Sequence, residues 1–260
     1  MIRKVDLVMW TKNSSKFLPI VLGRIEDVIP SEVVGRKIII DDHSTDDTVE
    51  IAKALGWEVH DNPGGGIFDA FEAALHLVSS EFFISVEHDI ILSKDWWKRI
   101  SRYMEDDEVA VAQGVRVATH PVLRKLDEYI IERCDEKGKN RCLSIDNNLY
   151  RTKILRKFRI NVHDHARACK FLQGKGFKWI IDRSVISEHI RPTIRYLIEH
   201  DYRMHKFMPQ QDKRKNLVKS FILLIYSPIR AFYMAIKKRC PLILVVYPLD
   251  RIAIFLAHLR

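Results

Sequence analysis

Short apolar runs alternate with segments of helical periodicity over the first half of the chain. The runs typical of strands are Val5–Trp10, Lys37–Asp41, Trp57–His60 and Phe82–Glu87. The segments with helical spacing between them are Lys16–Val28, Thr45–Leu55 and Ile67–Val78. This alternation is the pattern of βαβ units, in which helices cover both faces of a parallel sheet. It predicts an α/β fold with a Rossmann-like, mostly parallel sheet flanked by helices.

The second half is less regular, and it predicts a further division of the chain. Its predicted elements are a strand at Val109–Val117, a helix at Val122–Cys134, a helix at Asp164–Gln173 and a strand at Trp179–Asp182. A polar segment, Gln210–Asn216, then precedes an apolar tail. We therefore expect a main domain over residues 1–205, with halves at about 1–115 and 116–205, and a separate tail over 206–260.

The charge of the chain is concentrated in this C-terminal part. The formal net charge is +9, and residues 191–260 alone carry 14 Lys or Arg against 4 Asp or Glu. Basic and apolar residues together are typical of a membrane surface rather than of a nucleic-acid site, so no nucleic-acid partner is predicted. The four cysteines show no CxxC spacing and no leader precedes the first strand, which favours a reducing, cytoplasmic compartment.

The tail is predicted to form amphipathic helices that lie in the membrane interface. Its longest uncharged stretches are Ser220–Ile229 and Cys240–Leu249, too short to span a bilayer, and Pro248 is expected to break the second. Lys219, Tyr226, Arg230 and Lys237 are spaced to share one helical face. The alternative is a helical hairpin packed on the main domain or on a second subunit.

Two acidic clusters follow predicted strands. Asp41 and Asp42 end the second strand, and Glu87, His88 and Asp89 end the fourth. In an open parallel sheet, ligands bind outside the carboxyl ends of the strands. Adjacent carboxylates there repel unless a cation compensates them, and oxygen ligands with a nearby histidine suit Mg²⁺ or Mn²⁺. The alternatives are a helix cap for the first cluster and a solvated strand end for the second.

These segments carry a resemblance to a known family. "VDLVMWTKN", "KIIIDDHSTDDTVEIAKALG", "FFISVEHDIILSKDWW" and "HDHARACKFLQGKGFKW" followed by "VISEH" occur in the order and approximate spacing of glycosyltransferase family 2. The similarity covers about residues 3–191 and implies the GT-A fold. It implies an inverting glycosyltransferase that takes a sugar from a UDP- or GDP-sugar and needs Mn²⁺ or Mg²⁺.

The resemblance also implies roles for individual residues of the donor half. Those expected to bind the nucleotide sugar are Trp10, Thr11, Lys12, Asn13, Asp41, Asp42, Glu87 and His88. Glu87 and Asp89 match the DxD motif that holds the metal, with Glu in place of the first Asp. His189 matches a histidine that completes the metal or diphosphate site in many relatives, and Arg191 is expected to pair with phosphate oxygens. A structural role for His189 is the alternative.

In the acceptor half, the family carries an acidic pair before a Gly-aromatic turn, and this position holds Asp164 and His165. Either is a candidate for the base that deprotonates an acceptor hydroxyl, whereas helix capping by Asp164 is the alternative. The basic tail favours a lipid-linked acceptor, either a polyprenyl phosphate or a lipid-linked glycan, at the inner face of the cell membrane. Competing hypotheses are a sugar-phosphate nucleotidyltransferase and a non-catalytic, membrane-tethered nucleotide-sugar binding protein.

Overall fold

A computed structural model describes residues 2–136, 144–158, 165–206 and 213–259. The strands of the described part are β1 Val5–Thr11, β2 Val34–Asp41, β3 Glu58–Asp61, β4 Phe82–Glu87, β5 Ile90–Ile91, β6 Val109–Ala118, β7 Asn148–Arg151 and β8 Lys178–His189. Its α-helices are α1 Leu18–Val28, α2 Thr48–Ala54, α3 Ile67–Leu77, α4 Trp96–Ile100, α5 Pro121–Glu136, α6 Thr152–Phe158, α7 His165–Gly174, α8 Ile194–Lys206, α9 Lys213–Ile225, α10 Ser227–Lys237 and α11 Ile243–Leu259. Short 3₁₀ helices occupy Ser31–Val33 and Ser101–Glu105.

All eight strands join one mixed sheet in the order β3-β2-β1-β4-β7-β6-β8-β5. The half formed by β3, β2, β1 and β4 is parallel, as the alternating pattern predicts. Strand β7 pairs antiparallel with both β4 and β6, and β5 pairs antiparallel with β8. The α/β fold and its flanking helices are therefore confirmed.

The parallel register brings the ends of the N-terminal strands together. Thr11 of β1 pairs with Asp41 of β2, and Asp41 in turn pairs with Asp61 of β3. On the other side of β1, Trp10 pairs with Glu87 at the end of β4. The acidic residues that follow different strands in the sequence thus share one edge of the sheet.

The second half departs from the sequence-based expectation at several elements. Strand β8 runs for 12 residues, where only Trp179–Asp182 was expected, and β7 and α8 were not predicted. The four residues of β7, Asn-Leu-Tyr-Arg, are all buried, so the strand lacks the polar alternation of a half-exposed strand. Strand β8 contains several polar residues, so its sequence shows no long apolar run from which its full length could be predicted.

The sheet packs on an aromatic core. Phe71 of α3 lies edge-on to Tyr150 of β7, with ring centroids 5.6 Å apart, and Phe83 of β4 stacks on Tyr150 at 4.8 Å. The Tyr150 hydroxyl is completely buried, donates to the Ile145 carbonyl and accepts from Asn148 Nδ2 at 2.6 Å. These contacts fix the segment before β7 against the centre of the sheet.

The chain divides into two compact units. The first comprises residues 1–116 and 134–189, and the second comprises 117–133 and 190–260. The domain boundary placed at 205/206 from the sequence falls in the last turn of α8, inside the second unit. The second unit has its own apolar core, in which Leu123 and Leu126 of α5 cluster with Met234 of α10 and Ile243 of α11.

The helices of the tail differ in two details from the prediction. The chain bends by 56° between Lys215–Ile225 and Ser227–Lys237, so the stripe of Lys219, Tyr226, Arg230 and Lys237 does not lie on one continuous helix. Helix α11 continues through Pro248, because its packing against α8, α9 and α10 offsets the lost backbone hydrogen bond. Within the described residues, no single helix has the length and apolarity to cross a bilayer, whereas the bent pair together meets that test.

Candidate functional site

The carboxyl edge of β4 presents a group of side chains with the donor atoms of a metal site. Glu87, Asp89 and His189 each offer one ligand atom, and these atoms all lie within 4.8 Å of one another. His189 Nε2 lies 3.0 Å from Asp89 Oδ2, across 100 residues of sequence. Pairing of Ile90 in β5 with His189 in β8 brings the histidine there.

Asp89 is the centre of this group. Its residue surface is only 6% exposed, and its Oδ1 atom has no hydrogen-bond partner among the described residues. Burial opposes ionisation, but the adjacent His189, together with His88 and Arg116, lowers the pKa of Asp89 well below its usual value. A buried, ionised carboxylate with one unpartnered oxygen fits a divalent cation.

Glu87 is held in place from two sides. The indole Nε1 of Trp10 donates to Glu87 Oε1 at 3.3 Å, and Arg116 Nη1 lies 3.9 Å from Glu87 Oε2. Arg116 also forms a close ion pair with Asp146, whose side chain is only 1% exposed. The guanidinium thus offsets part of the negative charge that Glu87, Asp89 and Asp146 bring together.

The second acidic cluster orders the loop after β2. Asp41 is buried, and its Oδ1 accepts hydrogen bonds from Thr11 Oγ1 at 2.8 Å and from Ser44 Oγ at 2.6 Å. Asn13 Oδ1 accepts from the Thr45 backbone N–H at 2.8 Å. These bonds tie the turn after β1 to the turn after β2, so Asp41 and Asn13 shape the loop pair.

Asp42 lies at the more open side of this loop pair. It accepts from Lys12 Nζ at 2.9 Å, from Asn62 Nδ2 at 3.0 Å and from the Gly66 backbone N–H at 3.1 Å. Partial burial opposes ionisation, but these three donors outweigh it and lower the pKa of Asp42. The glycine-rich turn between β3 and α3, Asn62–Gly66, therefore contacts the loop after β2 directly, through Asn62 and Gly66.

The other residues predicted to bind the nucleotide sugar lie in different parts of the structure. Trp10 and Thr11 are buried and bonded to Glu87 and Asp41, so their direct contact with a nucleotide base stays a prediction. His88 is partly buried, with Nδ1 3.4 Å from the Trp10 carbonyl oxygen. Arg191 belongs to the second unit, where its backbone N–H donates to Thr119 Oγ1.

The two candidates for the base are Asp164 and His165. Asp164 lies outside the described residues. His165 begins α7, but its side chain is also outside the described part of the chain. The base assignment therefore stays a prediction for both residues.

Sequence reasoning missed Arg116, Asp146 and Asn62. Arg116 and Asp146 are 30 residues apart in the sequence and meet because β6 and β7 pair antiparallel, with Gln113 opposite Asn148. The polar run Asp146-Asn147-Asn148 before a buried strand was the available signal.

A mixed α/β sheet with acidic loops and a candidate cation group at the edge of its parallel half defines a protein of GT-A type. Residues 6–178 match the family model described as glycosyl transferase family 2. The chain belongs to this family and is a nucleotide-sugar-dependent glycosyltransferase. Family membership favours sugar transfer over nucleotidyl transfer.

Solved structures with low sequence identity share the fold. A mannosyltransferase from Pyrobaculum calidifontis, solved with GDP-Man and Mn²⁺, is 16% identical with a TM-score of 0.59, over 96% of this chain and 73% of that one. TarS 1–349 from S. aureus is 15% identical with a TM-score of 0.55, over 98% and 90%. Glucosyl-3-phosphoglycerate synthase from Mycobacterium tuberculosis, solved with Mn²⁺, UDP and phosphoglyceric acid, is 14% identical with a TM-score of 0.56, over 75% and 73%. No curated protein sequence matches the chain.

Proposed function

We propose that the protein is an inverting, divalent-metal-dependent glycosyltransferase that moves a sugar from a UDP- or GDP-sugar to a lipid-linked acceptor at the inner face of the cell membrane. The observation that carries this proposal is the group of Glu87, Asp89 and His189, with its unpartnered Asp89 oxygen, beside the acidic loop of Asp42. Both lie at the sheet edge where nucleotides bind in folds of this class.

Glu87, Asp89 and His189 are the residues that would hold the metal. Two carboxylates suit Mg²⁺ and Mn²⁺ alike, whereas an imidazole nitrogen favours the transition metal, so we expect Mn²⁺ to bind more tightly. When bound, the ion supplies positive charge against the diphosphate leaving group. Structural relatives solved with Mn²⁺ support this choice.

Donor recognition is assigned to the loops after β1 and β2. The ordered carboxylate of Asp42 accepts hydrogen bonds, so it can receive N–H or O–H groups of a base or ribose, with Asp41 holding the loop. Lys12, more than half exposed, can exchange its bond to Asp42 for a phosphate oxygen. His88 and Arg191 are proposed to contact the sugar diphosphate. GDP-Man and UDP-GlcNAc in solved relatives support a nucleotide-sugar donor and leave UDP and GDP both to be tested.

The transfer itself is proposed as one direct displacement. An acceptor hydroxyl attacks the anomeric carbon, its proton passes to Asp164 or His165, and the nucleoside diphosphate leaves with the bonding electrons. A phosphate acceptor is already ionised, so it attacks without the base. Near-normal transfer to a hydroxyl acceptor by Asp164→Asn would contradict the base role of Asp164.

The membrane part of the proposal rests on the tail. Of the 21 large hydrophobic side chains exposed in the described residues, 16 lie between Val218 and Leu259. Residues 213–259 also contain nine Lys or Arg and a single acidic residue, Asp250. A basic and apolar surface favours anionic lipid, which is enriched on the cytoplasmic leaflet, and so brings a lipid-linked acceptor within reach.

Calorimetric titration of UDP, GDP and their sugar conjugates into detergent-solubilised protein, with and without Mn²⁺, tests the donor site. We expect one nucleotide to bind only with Mn²⁺, and we expect Asp89→Ala to abolish that binding. Asp107→Ala is the matched control, because it removes a carboxylate that is 99% exposed and distant in sequence from the cluster. Metal-independent binding, or equal losses in both variants, would refute the assigned cation site.

A further inference from the structure

The exposed apolar side chains between Val218 and Leu259 are here called the tail surface, and two arginines, Arg230 and Arg251, lie in the same part of the chain. The Arg230 guanidinium carbon lies 5.6 Å from the ring centroid of Tyr247, and that of Arg251 lies 5.1 Å from the same centroid. Tyr247 itself packs against the apolar core of the second unit. One half-buried ring therefore holds two guanidinium groups from α10 and α11.

The two arginines differ in their partners. Arg251 pairs with the buried carboxylate of Asp250. Arg230 is partly buried, but within the described residues no carboxylate forms an ion pair with it. A guanidinium that has lost part of its hydration and gained only an aromatic face retains N–H donors that favour an anion.

The surroundings of Arg230 indicate the kind of anion. Tyr226, four residues before Arg230, and Tyr233, three residues after it, lie at helical spacing from it, and both are more than half exposed, as is the adjacent Ile229. An anion that reaches this arginine therefore enters an apolar surface, which suits a group attached to acyl or prenyl chains. Arginine matches phosphate through paired N–H donors, and an arginine held over a ring loses little freedom on binding.

We propose that Arg230, supported by Tyr247, binds the phosphate of an anionic lipid that lies on the tail surface. The inference rests on the proposed membrane location and deepens it by assigning one phosphate site within a broad basic surface. The phosphate comes either from a bulk anionic lipid, as a diester, or from a polyprenyl phosphate, as a monoester. The two sources share the same recognition chemistry and are separated by experiment.

Vesicle flotation with the full chain tests the site. The probes are phosphatidylcholine vesicles alone, with added phosphatidylglycerol, and with added polyprenyl phosphate. Arg230→Gln removes the guanidinium, and Lys219→Gln is the matched control, since it removes one cation from the same surface without a contact to Tyr247. Loss of one cation from an anionic surface weakens partitioning about fivefold. We expect about that loss for Lys219→Gln and a loss above about tenfold for Arg230→Gln, because hydrogen bonds to a charged group are lost as well.

The lipid source follows from the same variants. A larger loss for Arg230→Gln on polyprenyl-phosphate vesicles than on phosphatidylglycerol vesicles assigns the site to the monoester, and the reverse assigns it to bulk lipid. Tyr247→Leu leaves the charge unchanged but removes the ring, and it is expected to reproduce the Arg230→Gln loss. Circular dichroism verifies that both variants retain helix. Inorganic phosphate is also added at constant ionic strength. If it lowers vesicle binding while apolar partitioning is unchanged, Arg230 recognises the phosphate group itself, independently of the lipid chain.

Equal losses for Arg230→Gln and Lys219→Gln on every vesicle would overturn the inference. The inference would also be overturned if the chain bound none of the vesicles and eluted as a dimer, because a second copy would then cover the tail surface. Mn²⁺-dependent nucleotide binding is measured on the same preparations. Nucleotide binding without vesicle binding refutes the lipid site alone, whereas vesicle binding without nucleotide binding refutes the proposed donor chemistry alone.

Discussion

Arg116 and Asp146 form an ion pair beside the candidate cation group, and this contact is expected to contribute strongly to the stability of the protein. The Asp146 carboxylate is almost entirely buried, and Arg116 joins it to Glu87. Removing one member of a fully buried ion pair costs about 3–5 kcal/mol, and the cost is lower here because the Arg116 side chain is 31% exposed and partly screened by solvent. Replacing both members removes the charge and the need for its partner together.

We therefore expect Arg116→Gln to lower the free energy of unfolding by about 2 kcal/mol, and Arg116→Met with Asp146→Leu to recover most of that loss. Urea unfolding followed by tryptophan fluorescence measures this, because all five tryptophans lie in the first unit. Additive effects of the two single changes would show that the pair does not act as one.

At this scale, the sequence identifies residues that follow strands and misses residues that meet by pairing. Asp42, Glu87 and Asp89 each follow an apolar run, so their shared edge could be predicted from the βαβ pattern. Arg116 lies within a strand, and Asp146 is marked only by the polar run that it begins, which does not indicate its partner. Their contact depends on the antiparallel register of β6 and β7, which periodicity does not encode.

Among the elements, β1 and β2 are joined to the segment before β4 by one buried carboxylate, that of Asp6. Asp6 accepts from the backbone N–H groups of Arg36 at 2.9 Å, Ser79 at 2.6 Å and Ser80 at 3.0 Å. Burial opposes its ionisation, but these donors lower the pKa of Asp6. Gly35 lies so close that a Cβ there would stand 2.4 Å from Asp6 Oδ1, so only glycine leaves room for the carboxylate.

Asp6→Asn is expected to destabilise the protein by about 2 kcal/mol at neutral pH, since an amide replaces one acceptor by a donor that faces N–H groups. A depressed native pKa contributes stability above the unfolded pKa, near 4, and loses it as the pH falls through the native value. The stability of the wild type should therefore fall more steeply in acid than that of the variant. Urea unfolding from neutral pH to about pH 3 compares the two slopes, and parallel slopes would contradict the assignment.

Asp250 of α11, which lies beside Asp201 of α8, has the opposite behaviour to Asp6. Burial and the neighbouring Asp201 raise the pKa of Asp250 to about 6, although Arg251 opposes this shift. The native state therefore keeps a proton that the unfolded chain has already lost near pH 4, and the contribution of Asp250 to stability falls as the pH rises from about 4 to about 6.

Asp250→Asn should remove this slope, which amounts to about 3 kcal/mol across the interval. Far-UV circular dichroism is the suitable probe, because the second unit is helical and contains no tryptophan. The same pH dependence of the helical transition in the wild type and in Asp250→Asn between pH 4 and pH 7 would contradict the raised pKa of Asp250.

Secondary-structure elements are predicted correctly where short apolar runs alternate regularly with segments of helical periodicity. The parallel half of the sheet and its helices follow the alternation, whereas β7 is buried on both faces and β8 contains polar residues, so neither shows it. Pro248 misleads for another reason, because packing of α11 within the second unit outweighs a local breaker.

For the molecule as a whole, the tail combines apolar exposure with a positive charge. The two contributions respond differently to salt, since screening weakens the attraction of cations to anionic lipid and leaves apolar burial intact. We expect the full chain to bind anionic vesicles, to bind less as salt increases, and to retain a residual fraction at high salt. Flotation across a salt series measures this, and complete release at high salt would limit the contact to charge alone.

The distance along the chain between Asp89 and His189 has a consequence for biosynthesis. The parallel half of the sheet needs residues only as far as β4, whereas the cation group closes when β5 pairs with the end of β8, 100 residues later. Contacts of such separation form after local ones, because closing a long loop costs chain entropy. A nascent chain whose parallel strands have already folded would still lack the third candidate ligand until the ribosome has passed His189, so the proposed metal site would close only after the antiparallel part of the sheet has been synthesised.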